Sequence, residues 1–442
     1  MSRRNEVLRF VNAKRSYMED RIKDGIETNR KGVAHVTLTD AEGKALSGTK
    51  VKLVQKNHAF RYGANLFMLD EFDSTEKNQL YRKYFAEGCN IATLPFYWSD
   101  LEPEQGKPRF AADSPKVYRR PAPDLCLDFC EANGIEPKAH CLNYAVFTPE
   151  WAPKDITGIK LALEKRFAEL AERYKHRINL WEVTNETFWG GTGFRCPFYH
   201  QPDFVEWSFK TAEKYFPANR LAINEAHSRI WQEEYFFYDR SPYYMQIERA
   251  MLKGARIDSI GMQYHMFYRA EQEAELAAPF YDPERVYDVM DTYEKLGKPL
   301  HITELTIPAY SNGTEDEELQ AEIIRTIYSM WFSHAAMEGI LYWNLIDGYA
   351  YNAEPGDMTA GENYYYGGLL RFDFTPKPAY HMIRDLFTKE WHTELDAESD
   401  AEGQVVFKGF YGDYDVITED GRKGSFSFRK NPGRFYINTK LK

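Results

Sequence analysis

The sequence predicts an α/β protein: a (β/α)8 barrel carrying a small β-sandwich built from its two ends. Three observations predict it. Between about residues 59 and 390, eight short apolar runs alternate with segments of helical spacing, the pattern of strand–helix units closing into a parallel barrel. No glycine fingerprint follows the first run, which disfavours an open doubly wound sheet. Outside that region, residues 33–57 and 392–442 alternate as strands do, and both contain the tetrapeptide DAEG.

The elements follow in order. MSRRNEVLRFVNAKRSYMEDRIKDG is charged and lacks an apolar core segment, so it predicts an amphipathic helix rather than a secretory signal. VAHVTLTDAEGKALSGTKVKLVQKN alternates around DAEG and predicts a hairpin. The eight runs are AFRYGANLF, CNIATLPF, EPKAHCLNY, INLWEVTNE, RLAINEA, IDSIGMQYH, PLHITEL and GILYWNL. Between them the spacing is helical, as at Leu163, Phe167, Leu170 and Tyr174. Asp203 before FVEWSF and Asp282-Pro283 before ERVYDVM are helix-start signals. The closing DAEGQVVFKGFYGDYDVITEDGRKGSFSFRK parallels the first DAEG segment, so both half-sets of strands are expected to pair into one sandwich. The expected units are 1–58 (N-terminal helix and first sandwich strands), 59–390 (barrel) and 391–442 (remaining strands).

Composition narrows the function. A chain of 442 residues that is 43% hydrophobic can build one large core and a small one. Its net charge of −11, with acids and bases interspersed, lacks the basic stripe of a nucleic-acid binder. No run approaches the roughly 18 apolar residues of a membrane span. The five cysteines, Cys89, Cys126, Cys130, Cys141 and Cys196, match no zinc spacing, so core thiols in a reduced cytoplasm are expected, with no metal. Aromatic residues reach 16%, with 31 Tyr and 9 Trp; part is core, and the excess suits stacking on sugar rings.

A barrel places its active site at the carboxyl ends of its strands. There the runs end in His140 and Tyr144, Asn185 and Glu186, Asn224 and Glu225, Gln263 and His265, Glu304, and Trp343 and Asn344. Glu186, followed by Phe188, Trp189 and two glycines, is therefore one member of a polar ring around a single mouth. Two carboxylates across such a mouth can hydrolyse a glycoside: one protonates the leaving oxygen and the other attacks the anomeric carbon. Their surroundings must push their pKa values apart. Asn185 is placed to hold a sugar 2-hydroxyl, His265 to orient Glu304, and Trp343 to floor the ring.

These motifs, in order over roughly residues 60–390, resemble glycoside hydrolase family 10, the endo-β-1,4-xylanases and related retaining β-glycosidases. LWEVTNE resembles the family's WDVVNE, HITEL its ITELD, GMQYH its QSH, AHCLNY its GHTLVWH, WSDLEPEQG its KWDALEPxxG, LYWNLIDGYAY its WGVTDxxSW, and LLRFDFTPKPAY its LLFDxxxxPKPAY. The resemblance implies Glu186 as acid/base and Glu304 as nucleophile. It places Asn185, His265, Gln263, His140 and Trp343 around the sugar at the point of cleavage. It implies a carbohydrate partner and no cofactor. Tyr97, Tyr144, Asn224 and Tyr351 are the further candidates for substrate binding.

The departures concern the substrate. Where the family has ENEMKW, this chain has TLPFYW, so Thr93, Leu94 and Tyr97 replace the Glu, Asn and Lys that grip sugars on the glycone side. Tyr144 and Ala145 stand for the Trp and His of LVWH, Thr306 for the Asp of ELD, and Tyr351 for the second Trp of the eighth-strand motif. The expected substrate is a short oligosaccharide or a small or aryl β-glycoside. A plain intracellular xylanase acting on xylo-oligosaccharides and a non-catalytic sugar-binding barrel are the alternatives. Retention of both carboxylates counts against the last. The loop YNAEPGDMTAGENYYYGG is expected to set one or two of Tyr364, Tyr365 and Tyr366 over the mouth.

Overall fold

The computed structural model describes residues 2–188, 196–431 and 435–442. Its strands are β1 (Lys31–Thr39), β2 (Lys50–His58), β3 (Arg61–Asn65), β4 (Ile91–Pro95), β5 (Glu136–His140), β6 (Leu180–Asn185), β7 (Arg220–Glu225), β8 (Ser259–His265), β9 (Leu300–Thr306), β10 (Met337–Tyr342), β11 (Glu394–Glu398), β12 (Gln404–Phe410), β13 (Gly412–Thr418), β14 (Lys423–Phe428) and β15 (Tyr436–Lys440).

Each of the eight apolar runs forms one barrel strand, and β3 to β10 close in the order β10-β3-β4-β5-β6-β7-β8-β9. Neighbours pair in parallel all the way round. Every residue of β4, β6 and β9 is buried, because one face meets the barrel interior and the other meets helices. That two-sided burial is why these strands read as unbroken apolar runs. The helix Ile156–Tyr174 shows the outer layer: Asp155 caps it by accepting from the Gly158 N–H, and Leu163, Phe167, Leu170 and Tyr174 are buried. Asp282 caps Pro283–Glu294 in the same way, whereas Asp203 sits at the N-cap of Phe204–Tyr215 without a side-chain cap bond. All five cysteines are free thiols, and Cys126 and Cys130 are buried in the barrel core. Among the described residues no helix is long and apolar enough to cross a membrane.

The terminal strands form two sheets, β12-β1-β15 and β11-β2-β13-β14. β1 lies between C-terminal strands, antiparallel to β12 and parallel to β15. β2 lies between β11 and β13, antiparallel to both. Val36, Leu38, Leu53, Phe407, Val416 and Phe426 share one buried cluster between the sheets. A short form of the expected hairpin closes around the first DAEG, with an antiparallel bridge between Thr39 and Ala45 and the Leu46 N–H donating to the Leu38 carbonyl at 3.0 Å, but β1 and β2 do not extend it, since they belong to different sheets. The two DAEG turns carry the chain across instead. Asp40 Oδ1 accepts from the Glu42 and Lys44 N–H groups, and Asp400 Oδ1 from those of Glu402 and Gln404. Gly43 and Gly403 take φ of 88° and 78°, a region open to glycine without a Cβ clash. β1 and β2 each present one apolar face, and facing each other across a sandwich buries both.

The expected unit 1–58 divides. Its helical part, Arg3–Asn29, docks on the barrel: Val7, Leu8, Val11 and Met18 join the barrel core. Arg3 pairs with Glu273 and Arg21 with Asp291, each at 2.7 Å.

Candidate active site

The carboxyl ends of the barrel strands open into a cleft of about 420 Å³. Glu186 follows β6 directly. Its φ of 49° is left-handed, which costs a non-glycine residue of the order of 1 kcal/mol. This turn swings the side chain inward while the Glu186 N–H donates to the Asn224 carbonyl at 3.2 Å. Glu225, at the end of β7, braces the same turn by accepting from the Thr187 N–H at 2.7 Å and the Thr187 hydroxyl at 2.9 Å. Burial pushes the Glu225 carboxyl up to about 7. Trp189 and the two following glycines lie outside the described residues.

Gln263 joins the two candidate carboxylates. Its Nε2 donates to Glu186 Oε1 at 2.9 Å and to Glu304 Oε1 at 3.2 Å. These two oxygens are therefore at most about 6 Å apart, a span that accommodates the ~5–5.5 Å separation of the carboxyl groups in retaining glycosidases. Burial and the charge of Glu304 raise the Glu186 carboxyl above its ordinary range, against hydrogen bonds from Tyr144 and Gln263. Glu304 Oε1 also accepts from Asn224 Nδ2 at 3.0 Å, and Thr303 fixes Asn224 by donating to its Oδ1 at 2.5 Å. Asn224 also donates to Asn185 Oδ1 at 3.0 Å.

His265 Nε2 lies 3.2 Å from Glu304 Oε2, and its Nδ1 lies 3.0 Å from the Thr306 hydroxyl. The position that lost the family's Asp thus still holds the imidazole, through a neutral partner. His140 Nε2 is 2.9 Å from the Tyr97 hydroxyl and 4.0 Å from Glu304 Oε1. Behind it, Glu182 Oε1 lies 2.6 Å from His140 Nδ1 and Glu182 Oε2 accepts from Lys138 at 2.5 Å. Burial opposes ionisation of Glu182, but His140 and Lys138 outweigh it and hold its carboxyl at about 2. His140, Cys141 and Glu182 also come within metal-ligating distance of one another. Each His140 nitrogen and each Glu182 oxygen is already hydrogen-bonded, so the cluster is a closed polar network.

His140, Asn185, Gln263, His265, Trp343, Tyr97, Tyr144 and Tyr351 line the cleft with Glu186 and Glu304. Asn224 stands fully buried behind Glu304. Leu94 is corrected as a pocket residue: it is wholly buried in the barrel core. Tyr364, Tyr365 and Tyr366 do not line the cleft; Tyr365 packs behind Phe267, with ring centroids 5.0 Å apart. Glu362 from the same loop does line it, accepting from Trp343 Nε1 at 3.2 Å and Asn344 Nδ2 at 2.9 Å.

Sequence reasoning missed Glu182, although an acid inside an apolar run was a usable signal. It also missed Phe67, although that residue ends the first apolar run, and Arg119 and Arg120, which enter from a loop and carry no such signal. Arg119 donates to Asn344 Oδ1 at 2.6 Å and to the Tyr349 carbonyl. Arg120 is 5% exposed. Its guanidinium lies 4.2 Å from the Tyr97 ring centroid, 5.2 Å from Tyr351, and 5.4 Å from both Phe67 and Phe147. Asp100 accepts from its Nε at 2.7 Å.

An eight-stranded parallel barrel whose mouth holds two carboxylates within reach of one amide defines a barrel of the glycosidase class. The chain belongs to glycosyl hydrolase family 10, whose sequence profile matches residues 71–386. It is 25% identical over 392 residues to endo-1,4-beta-xylanase 2 of Arabidopsis thaliana, covering 85% of this chain and 31% of that protein. It is 22% identical over 422 residues to anti-sigma-I factor RsgI6 of Acetivibrio thermocellus, covering 94% of this chain and 48% of that one. The chain thus spans half or less of these curated relatives. Among solved structures, xylanase 10B of Thermotoga petrophila in complex with xylobiose shares the fold. Its TM-score is 0.59 at 21% identity, over 75% of this chain and 95% of that one.

Proposed function

We propose that this chain is a retaining β-glycosidase acting on short oligosaccharides or small and aryl β-glycosides. Glu186, its carboxyl raised by burial and by Glu304, gives a proton to the leaving oxygen as the glycosidic bond breaks. Glu304 attacks the anomeric carbon and forms a glycosyl-enzyme ester. Glu186, now ionised, takes a proton from water, which displaces Glu304 and restores both groups. Asn185, Gln263, His140, His265 and Trp343 surround the reacting sugar, and Asn224 holds Glu304 from behind.

One observation carries the choice of substrate. On the flank formed by Tyr97, the cleft meets a packed wall of Phe67, Tyr97, Phe147 and Tyr351 around the buried Arg120 guanidinium. Of the three replacements in TLPFYW, Thr93 and Leu94 are buried away from the cleft and Tyr97 lines it with its hydroxyl already bonded to His140 Nε2, so the segment offers no free hydrogen-bonding side chain to a further sugar. A site built to hold sugar hydroxyls loses affinity sharply when those partners are missing. The relatives' names favour a second reading, an endo-xylanase working on xylo-oligosaccharides. The test is kcat/KM on aryl β-xylosides and β-glucosides, on xylohexaose and on soluble xylan. Small glycosides are expected to win. If xylohexaose or xylan wins by about tenfold or more, the endo-xylanase reading replaces this one.

A further inference from the structure

Both oxygens of Glu186 are already bonded. Oε1 accepts from Gln263 Nε2 at 2.9 Å and Oε2 accepts from the Tyr144 hydroxyl at 2.5 Å. The two partners are not equivalent. An amide NH2 can only donate, and this one is pinned, because the same Nε2 also bonds Glu304 Oε1 at 3.2 Å and Asn185 Oδ1 at 3.3 Å. A proton on Oε1 would face it head-on. A phenol hydroxyl donates or accepts by rotating about its C–O bond. The Tyr144 hydroxyl has no other hydrogen-bond partner among the described residues, and its ring is held by Phe147 and Tyr97 at centroid distances of 5.4 and 6.3 Å.

From this asymmetry we infer that Tyr144 is a positioning residue for the acid/base: it keeps the exchangeable proton of Glu186 on Oε2. The inference rests on the acid/base role proposed for Glu186. With Glu186 protonated, the Tyr144 oxygen accepts from Oε2–H. When that proton passes to the leaving oxygen, the hydroxyl rotates and donates to the new anion. When water returns a proton to Oε2, the hydroxyl turns back. No proton leaves Tyr144 at any point. The matching position in the family motif carries Trp, whose N–H donates and cannot accept, so the two-way partner belongs to this chain.

A bond to the charged form is stronger than one to the neutral form, so Tyr144 favours the ionised state on balance. The other groups facing this corner are Glu304 on β9, His265 on β8, Glu225 on β7, and Tyr97 and His140 beyond the Tyr144 ring. Tyr144→Phe alters none of them and keeps the ring.

Two measurements test this. In the first, the basic limb of the pH profile of kcat/KM on an aryl β-glycoside should move up by about one pH unit in Tyr144→Phe. In the second, the Glu186 carboxyl is followed by 13C NMR in the intact chain, assigned with Glu186→Gln, and its midpoint should rise equally. The NMR arm needs no turnover, so an inactive wild type would refute the proposed function while still deciding this inference. A midpoint that stays put or falls in Tyr144→Phe overturns it.

Discussion

Glu182→Gln probes the wiring beneath the cleft. In the wild type, Glu182 is wholly buried between Lys138 and His140, and Lys138 is itself only 1% exposed. The substitution keeps the shape and removes the charge. The new amide can keep its oxygen on the Lys138 ammonium only by turning its NH2 toward the His140 ring, which must then present Nδ1 as an acceptor and lose its present tautomer or charge. Removing one partner from a buried ion pair costs about 3–5 kcal/mol, because the other charge stays buried and unmatched. The protonation behaviour sets a second, independent figure. Burial opposes ionisation, yet His140 and Lys138 take the Glu182 carboxyl from 4.5 to about 2, a shift equivalent to roughly 3 kcal/mol. A depressed carboxyl stabilises the fold above its unfolded pKa, and that contribution is lost as pH falls through the folded value. The stability gap between wild type and Glu182→Gln should therefore be full above pH 4.5 and shrink steadily toward pH 2. Urea unfolding at pH 7 and at intervals down to the acid limit measures this gap. Activity should fall as well, since His140 loses its support 4.0 Å from Glu304. A gap below about 1 kcal/mol at pH 7, or one that does not change with pH, would show that the Lys138–Glu182–His140 network is not coupled as described.

Glu304→Gln should nearly abolish turnover on every substrate, measured as kcat. Glu186→Ala should instead hurt poor leaving groups most, because an activated aryl group departs with little protonation; azide should partly restore it by attacking the glycosyl-enzyme. Equal losses on all leaving groups without rescue would contradict the division of roles. Deleting residues 392–442 should leave β1 and β2 with unpaired edges and bare apolar faces, seen as insolubility or a large fall in Tm. An unchanged Tm would mean that the sandwich does not stabilise the chain.

The barrel was legible in the sequence because its strands are buried on both sides, which forces contiguous apolar runs at regular spacing. Glu186 and Glu304 were legible as candidates because the end of such a run lies at the mouth, but Glu225 ends a run in the same way and is fully buried behind the Glu186 turn, so only the structure separated the cleft carboxylates from the bracing one. Tertiary structure alone decided the rest. Alternation shows that β1 and β2 each own an apolar face, but not which strands they pair with, and their antiparallel partners in β12 and β11 lie 340 residues or more away. Arg119, Arg120 and Glu362 reach the cleft from loops, where no period marks the direction of a side chain. The pinned amide of Gln263, the Thr306 hydroxyl holding His265 and the phenol on Glu186 depend on distances of a few tenths of an ångström between residues on different strands. Local sequence dictates which faces must be buried; only closing the barrel brings those atoms within hydrogen-bonding range.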